Sequence, residues 1–191
     1  EYRYLDNACY SLTRYTVDGE FKLGTDLDMR SIEEWVPISV VTGVFDGEGH
    51  KVSNIVSSTG ARIAFIATLG TSAGVPAVLK NLTVGSSDGL TYEGVSKFTL
   101  TSDVGGSTYM YPAGLVGYAH VGSTLENLTN FAAIEVSAGC NVPHRAGGIA
   151  GTIKSGVTMT NCVNYGPVYA YQESCATART LSIGGVTGGI A

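Results

Sequence analysis

Hydrophobic and polar positions in this chain alternate with a period of two over short runs, and glycine or asparagine breaks each run before a helical period develops. Val168-Tyr169-Ala170-Tyr171 is one such run, and Thr124 to Asn130 is another. In the second, strict alternation sets Leu125, Asn127 and Thr129 on one face, with Thr124, Glu126 and Leu128 on the other. β-Branched and aromatic residues fill the runs, and glycines recur roughly every 8 to 12 residues, the spacing of an all-β chain. Only Met29 to Val36 offers a window free of Gly and Asn clusters. The pattern predicts strands and no substantial helix.

The runs repeat. Gly114-Leu115-Val116-Gly117 lies over Gly148-Ile149-Ala150-Gly151 at an offset of 34, and the register continues without a gap. Gly122 then meets Gly156, Leu125 meets Met159, Asn127 meets Asn161, Asn130 meets Asn164 and Ile134 meets Val168. Gly185-Val186-Thr187-Gly188 begins another copy at offset 37. Upstream, Leu79 to Thr83 matches Leu125 to Thr129 at offset 46, and Val52-Ser53-Asn54-Ile55 is a shorter relative. Ala64-Phe65-Ile66-Ala67 stands in the place of Gly-x-x-Gly, with alanine at both glycine positions.

A unit of this size cannot bury its own apolar face and must stack on its neighbours. Three short strands per copy make one coil, each strand pairing in parallel with its equivalent about 4.8 Å above and below. Leu115 is then expected under Ile149, and Val116 by Ala150. Asn54, Asn81, Asn127 and Asn161 are expected to form a buried ladder of amides that satisfy one another. Burial there also argues against using the sequons at Asn81 and Asn127. Gly114, Gly117, Gly148 and Gly151 mark bends, which demand either positive φ or close backbone approach. The fold class expected is an all-β, right-handed parallel β-helix.

Gly114-Leu115-Val116-Gly117 also matches a named motif in full, Gly-Leu-x-Gly. Phe21-Lys22-Leu23, Asp26-Leu27-Asp28, Trp35-Val36-Pro37-Ile38 and Gly43 to Val52 follow the order of the opening coils found with that motif. Over roughly residues 20 to 191 the chain resembles the GLUG-motif bacterial surface proteins, whose β-helix is similar to that of pectate lyases. The resemblance implies a secreted or cell-surface setting, in adhesin-like proteins or non-catalytic parts of surface peptidases, and says little about activity.

Four regions are expected: an irregular N-terminal cap over 1–20, opening coils over 21–85, an inserted loop or hairpin over 86–112, and GLUG-type coils over 113–191. The last coil shows no evident cap, so the array looks cut inside a longer one.

Composition narrows the function. Charged residues make up 14% of the chain and the net charge is −5, with the 11 Lys and Arg scattered singly. That opposes nucleic-acid binding, and no apolar stretch is long enough to span a bilayer. Cys9, Cys140, Cys162 and Cys175 lack the paired spacing of a zinc or redox motif. Their pairing is open among three connectivities and fully free thiols. No cofactor or metal is expected.

Asp46-Gly47-Glu48-Gly49 lacks the spaced oxygens of a calcium loop and reads as a tight turn. Asp26 and Asp28 share a strand face without a third acid at the coil offset. Glu126 aligns with Thr160 and Glu135 with Tyr169, so no stacked carboxylate pair supports glycoside chemistry. His50, His120 and His144 match one another at no offset and are expected at the surface. The tyrosines carry the binding potential: beside Tyr92, the candidates are Tyr109, Tyr111, Tyr118, Tyr165, Tyr169 and Tyr171. A tyrosine offers a flat ring and a hydroxyl to sugars or protein partners, although tyrosine also simply suits a pleated surface. The expected function is a non-catalytic, adhesin-like module that acts as a spacer or binds glycans or host proteins. A polysaccharide lyase or hydrolase, or the β-helical part of one, is the alternative.

Overall fold

In the computed structural model the described residues are 16–58, 60–86, 96–100, 109–138, 143–172 and 180–189. They form an all-β structure of parallel strands, not a closed barrel, with one short 3-10 turn at Met29–Ser31. The chain visits the same sheets in rotation. The first pass holds β1 (Thr16–Val17), β2 (Glu20–Lys22) and β3 (Leu27–Asp28). The second holds β4 (Val40–Val41), β5 (Val44–Asp46), β6 (Lys51–Ser53) and β7 (Val56–Ser57). The third holds β8 (Ile66–Leu69), β9 (Val78–Val84) and β10 (Lys97–Leu100), and the fourth β11 (Val116–Ala119), β12 (Thr124–Asn130) and β13 (Ala133–Ala138). The fifth runs through β14 (His144–Gly147), β15 (Ala150–Ile153), β16 (Thr158–Thr160), β17 (Val163–Asn164) and β18 (Val168–Gln172), and β19 (Leu181–Gly184) follows.

Sheet order records the rotation. One sheet runs β1-β4-β8-β11-β15, a second carries β16-β12-β9-β5-β2, and a third runs β18-β13-β10-β7. A fourth column pairs β14 with β19, and Met110 and Ala113 bridge to His144 and Gly147. Registers follow the sequence repeat: Val116 pairs with Ala150, Leu125 with Met159 and with Leu79, and Ile134 with Val168. Ala150 bridges Thr187 at the offset of the last copy. Ile66 pairs with Val116, which puts Ala64-Phe65-Ile66-Ala67 against the glycine motif.

Apolar columns form the core. Phe65, Leu115 and Ile149 are fully buried, as are Leu79 and Leu125, and Phe98 and Ile134. Each such side chain contributes about 1.5–3 kcal/mol by leaving water. Trp35 stacks on Phe65 with centroids 5.2 Å apart and donates its indole N–H to Phe65 O at 3.1 Å.

Four expectations need correction. Strict alternation fails in β12, where Leu125, Leu128 and Asn130 are buried and Asn127 is exposed. Asn127 has φ of 52°, and this left-handed residue turns the strand and shifts the in–out phase by one. Residues 86–112 are not simply an insertion, because β10 pairs in register with β7 and β13 and sends Phe98 and Leu100 into the core. The 1–20 boundary is also too late: β1 pairs with β4, and Glu20 pairs with Val44, so ladder structure begins by Thr16. His144 is fully buried rather than superficial, because its place on β14 bridges Met110, itself fully buried.

The glycine bends resolve one open question. Gly114, Gly117, Gly148 and Gly151 do not have positive φ, so close approach is what requires them. A Cβ on Gly114 would strike the Asn130 side chain and Gly148 O, and one on Gly148 would strike the Asn164 side chain and Gly185 O. In the preceding pass, Val84 holds the place of Asn130, and alanine is accommodated at position 64.

Candidate functional site

Three asparagines form one ladder. Asn161 donates to Asn127 and Asn127 to Asn81, each at 3.0 Å, and Asn81 donates to Asp46 Oδ1 at 2.9 Å. The ladder is superficial, not buried: Asn127 and Asn161 are exposed and Asn81 half-buried, since their left-handed φ places them on an outer corner. Asn54 lies outside it. Asn54 follows β6 rather than interrupting β9, and its amide donates to Asp28 Oδ1 at 2.8 Å. A second pair, with Asn130 buried and Asn164 half-buried, escaped the sequence reading although the repeat alignment contained it. Asn130 donates to Asn164 Oδ1 at 2.8 Å, and its own Oδ1 accepts the Ala132 N–H at 3.1 Å.

Asp26, Asp28, Asp46 and Glu135 each have a local partner. Asp46 Oδ1 accepts the Glu48 N–H at 2.9 Å, closing the turn, and Lys80 stands 3.2 Å from Oδ2. Burial pushes the Asp46 pKa up, but the Glu48 N–H, the Asn81 amide and Lys80 together outweigh it and hold it below the ordinary value. Asp26 accepts the Lys51 N–H and meets His50, each at 3.1 Å, while Asp28 accepts the Asn54 amide and the Arg30 N–H. The two aspartates therefore serve different contacts. Glu126 pairs with Lys80 and Thr160 in the strand register. Glu135 lies between Thr99 and Tyr169 in register, with Lys97 2.6 Å away.

The tyrosines divide into three groups. Tyr169 and Tyr171, both exposed on β18, line a shallow hollow of about 500 Å³ with Thr99, Glu135 and Ser137. Tyr165 stacks on Phe131 at 5.0 Å. Tyr109, Tyr111 and Tyr118 come together elsewhere: Tyr109 and Tyr111 stack at 6.0 Å, Tyr118 meets Tyr111 edge-on at 5.1 Å, and His120 lies 4.8 Å from Tyr118. Tyr92, Cys9, Cys140 and Cys175 lie outside the described residues. Cys162 is a free thiol whose pKa burial pushes up, the environment of an inert small hydrophobe.

Cations frame the trio, and the sequence reading missed them. Arg145 lies 4.9 Å over Tyr109, Arg62 5.5 Å over Tyr118 and 5.9 Å over Tyr111, and the Lys154 ammonium 5.9 Å over Tyr118. Arg62 donates to Thr68 Oγ1 at 2.9 Å, and Tyr118 pairs with both Thr68 and Thr152 in register. Backbone bonds from Tyr111 to Ala61 and from Arg145 to Met110 set Arg62, Tyr111 and Arg145 on successive rungs of the fourth column. One signal was legible: Arg145 stands as far before Gly148 as Tyr111 before Gly114. Burial, then the charges of Arg62 and Lys154, push His120 below its ordinary pKa. Burial and Tyr118 raise that of Tyr111 against the opposing pull of Arg145 and Arg62.

No family model and no curated protein matches the chain. One solved structure is similar, described as "a putative immunoglobulin A1 protease from Bacteroides ovatus", at 16% identity and a TM-score of 0.34, covering 91% of this chain and 78% of that one.

Proposed function

We propose that this chain is a non-catalytic β-helical module of a secreted or cell-surface protein, adhesin-like, which presents its outer face to glycans or surface proteins. The repeated sheet order supports a right-handed parallel β-helix, handedness following the general preference of parallel crossovers. The Gly-Leu-x-Gly motif at Gly114 to Gly117 supports a place among GLUG-type surface proteins. The observation that carries the binding reading is the grouping of Tyr109, Tyr111 and Tyr118 beside Arg62, Arg145 and Lys154. Half-buried phenol rings held by their neighbours present hydroxyls and ring edges at little conformational cost.

A glycan array probed with the purified chain, beside a lyase and hydrolase assay on the same polysaccharides, tests this reading. Retention without cleavage is the expected result. Turnover that is lost in Glu135→Gln would replace the module with an enzyme.

A further inference from the structure

The geometry points to an acidic polysaccharide, with sugar units carrying carboxylate or sulfate, as the ligand of the Tyr109–Tyr111–Tyr118 face. This rests on the glycan-binding reading above and specifies its chemistry. The decisive observation is where charge is left uncompensated. Among the described residues, Lys22, Arg30, Lys51, Lys80 and Lys97 each pair with a carboxylate. Arg62, Arg145 and Lys154 form no such pair with any described residue, and all three stand over the tyrosine trio. On a chain of net charge −5, this is a local positive surface with no internal counter-ion among the described residues. Such a surface complements an anion.

The arrangement favours an extended saccharide over other polyanions. Arg62 and Arg145 are separated by the rung that carries Tyr111, so their backbones stand about 10 Å apart, twice the interstrand spacing. A glycan lying along the column would meet a guanidinium, a phenol and a guanidinium in turn. Arginine forks match carboxylate and sulfate oxygens, and tyrosine supplies hydroxyl bonds and ring contact to the uncharged parts of the sugars. Three cations neutralise too few phosphates for useful nucleic-acid affinity, which grows with every phosphate paired.

Isothermal titration of the whole chain with polygalacturonate, methyl-esterified polygalacturonate, dextran sulfate and dextran tests the assignment. Binding is expected to polygalacturonate, dextran sulfate or both, and to weaken steeply between low and physiological salt. Esterified pectin and dextran should bind at least tenfold more weakly. Because Arg62 packs against the Gly117 backbone, the peripheral Lys154→Ala is measured beside Arg62→Gln and Arg145→Gln. Each substitution is expected to lower affinity three- to tenfold, while Val56→Ala, exposed on β7 and away from every candidate face, leaves it unchanged. Equal binding of dextran and dextran sulfate, or acidic binding insensitive to salt and to all three substitutions, overturns the acidic-ligand assignment and leaves the glycan module intact. Silence toward every polysaccharide on the titration and on the array overturns both.

Discussion

Asn127 shows how much one residue decides. Its φ of 52° would cost an alanine about 1–2 kcal/mol, a region asparagine enters more readily, and its amide is held by Asn81 and Asn161 of the neighbouring passes. Asn127→Ala should lower stability by about 1–2 kcal/mol in urea denaturation, and Asn127→Gly by less, because glycine recovers the backbone term while losing the amide. Asp46 behaves differently, since its contribution depends on charge. Its folded pKa is lowered, so the stabilisation is present above the ordinary carboxylate value of about 3.9 and disappears as pH falls through the folded pKa. Melting followed from pH 7 to pH 3 should show that loss, and Asp46→Asn should flatten it.

At the scale of the element, the Gly-x-x-Gly bend and the Asn130–Asn164 pair form one device. The asparagine reaches back to the Ala132 backbone and occupies the space that a side chain on Gly114 would need. Gly148→Ala should therefore cost about 1–3 kcal/mol through overpacking. Ala64→Gly should cost only about 0.5–1 kcal/mol, the backbone-freedom term, because it brings no new atom into the bend. Chemical denaturation of the two variants separates these outcomes. This coupling explains what the sequence could reveal. The offset of 34 exposed the register of Val116 on Ala150 and Leu125 on Met159, since period and apolar identity survive in the letters. It hid the phase shift at Asn127, because a left-handed corner leaves the hydrophobic count unchanged. It also hid β10, whose flanking segments differ in length from those of its neighbours. Beyond the repeat position of Arg145, the cations of the tyrosine face were hidden for a related reason. Arg62 and Arg145 are far apart in the chain, and only the stacking of passes brings them to one column.

For the whole molecule, stability should be graded along the stack. The third and fourth passes have pairing partners on both sides and fully buried Phe65, Leu79, Leu115 and Leu125. The fifth pass and β19 expose Val163, Tyr171, Ile183 and Val186. Hydrogen exchange followed by mass spectrometry should show slowest exchange in β8, β9, β11 and β12, and fastest in β18 and β19. Uniform protection across all passes would contradict an architecture whose units contact only their neighbours.

The fourth column places Arg62, Tyr111, Arg145 and then Ser182 at successive steps. The interval between two surface groups is therefore a whole number of rungs, set by how often the polypeptide comes round. Evolution or an engineer can recode such a face one letter at a time, Ser182→Arg for example, and thereby lengthen the inscription without recutting the page.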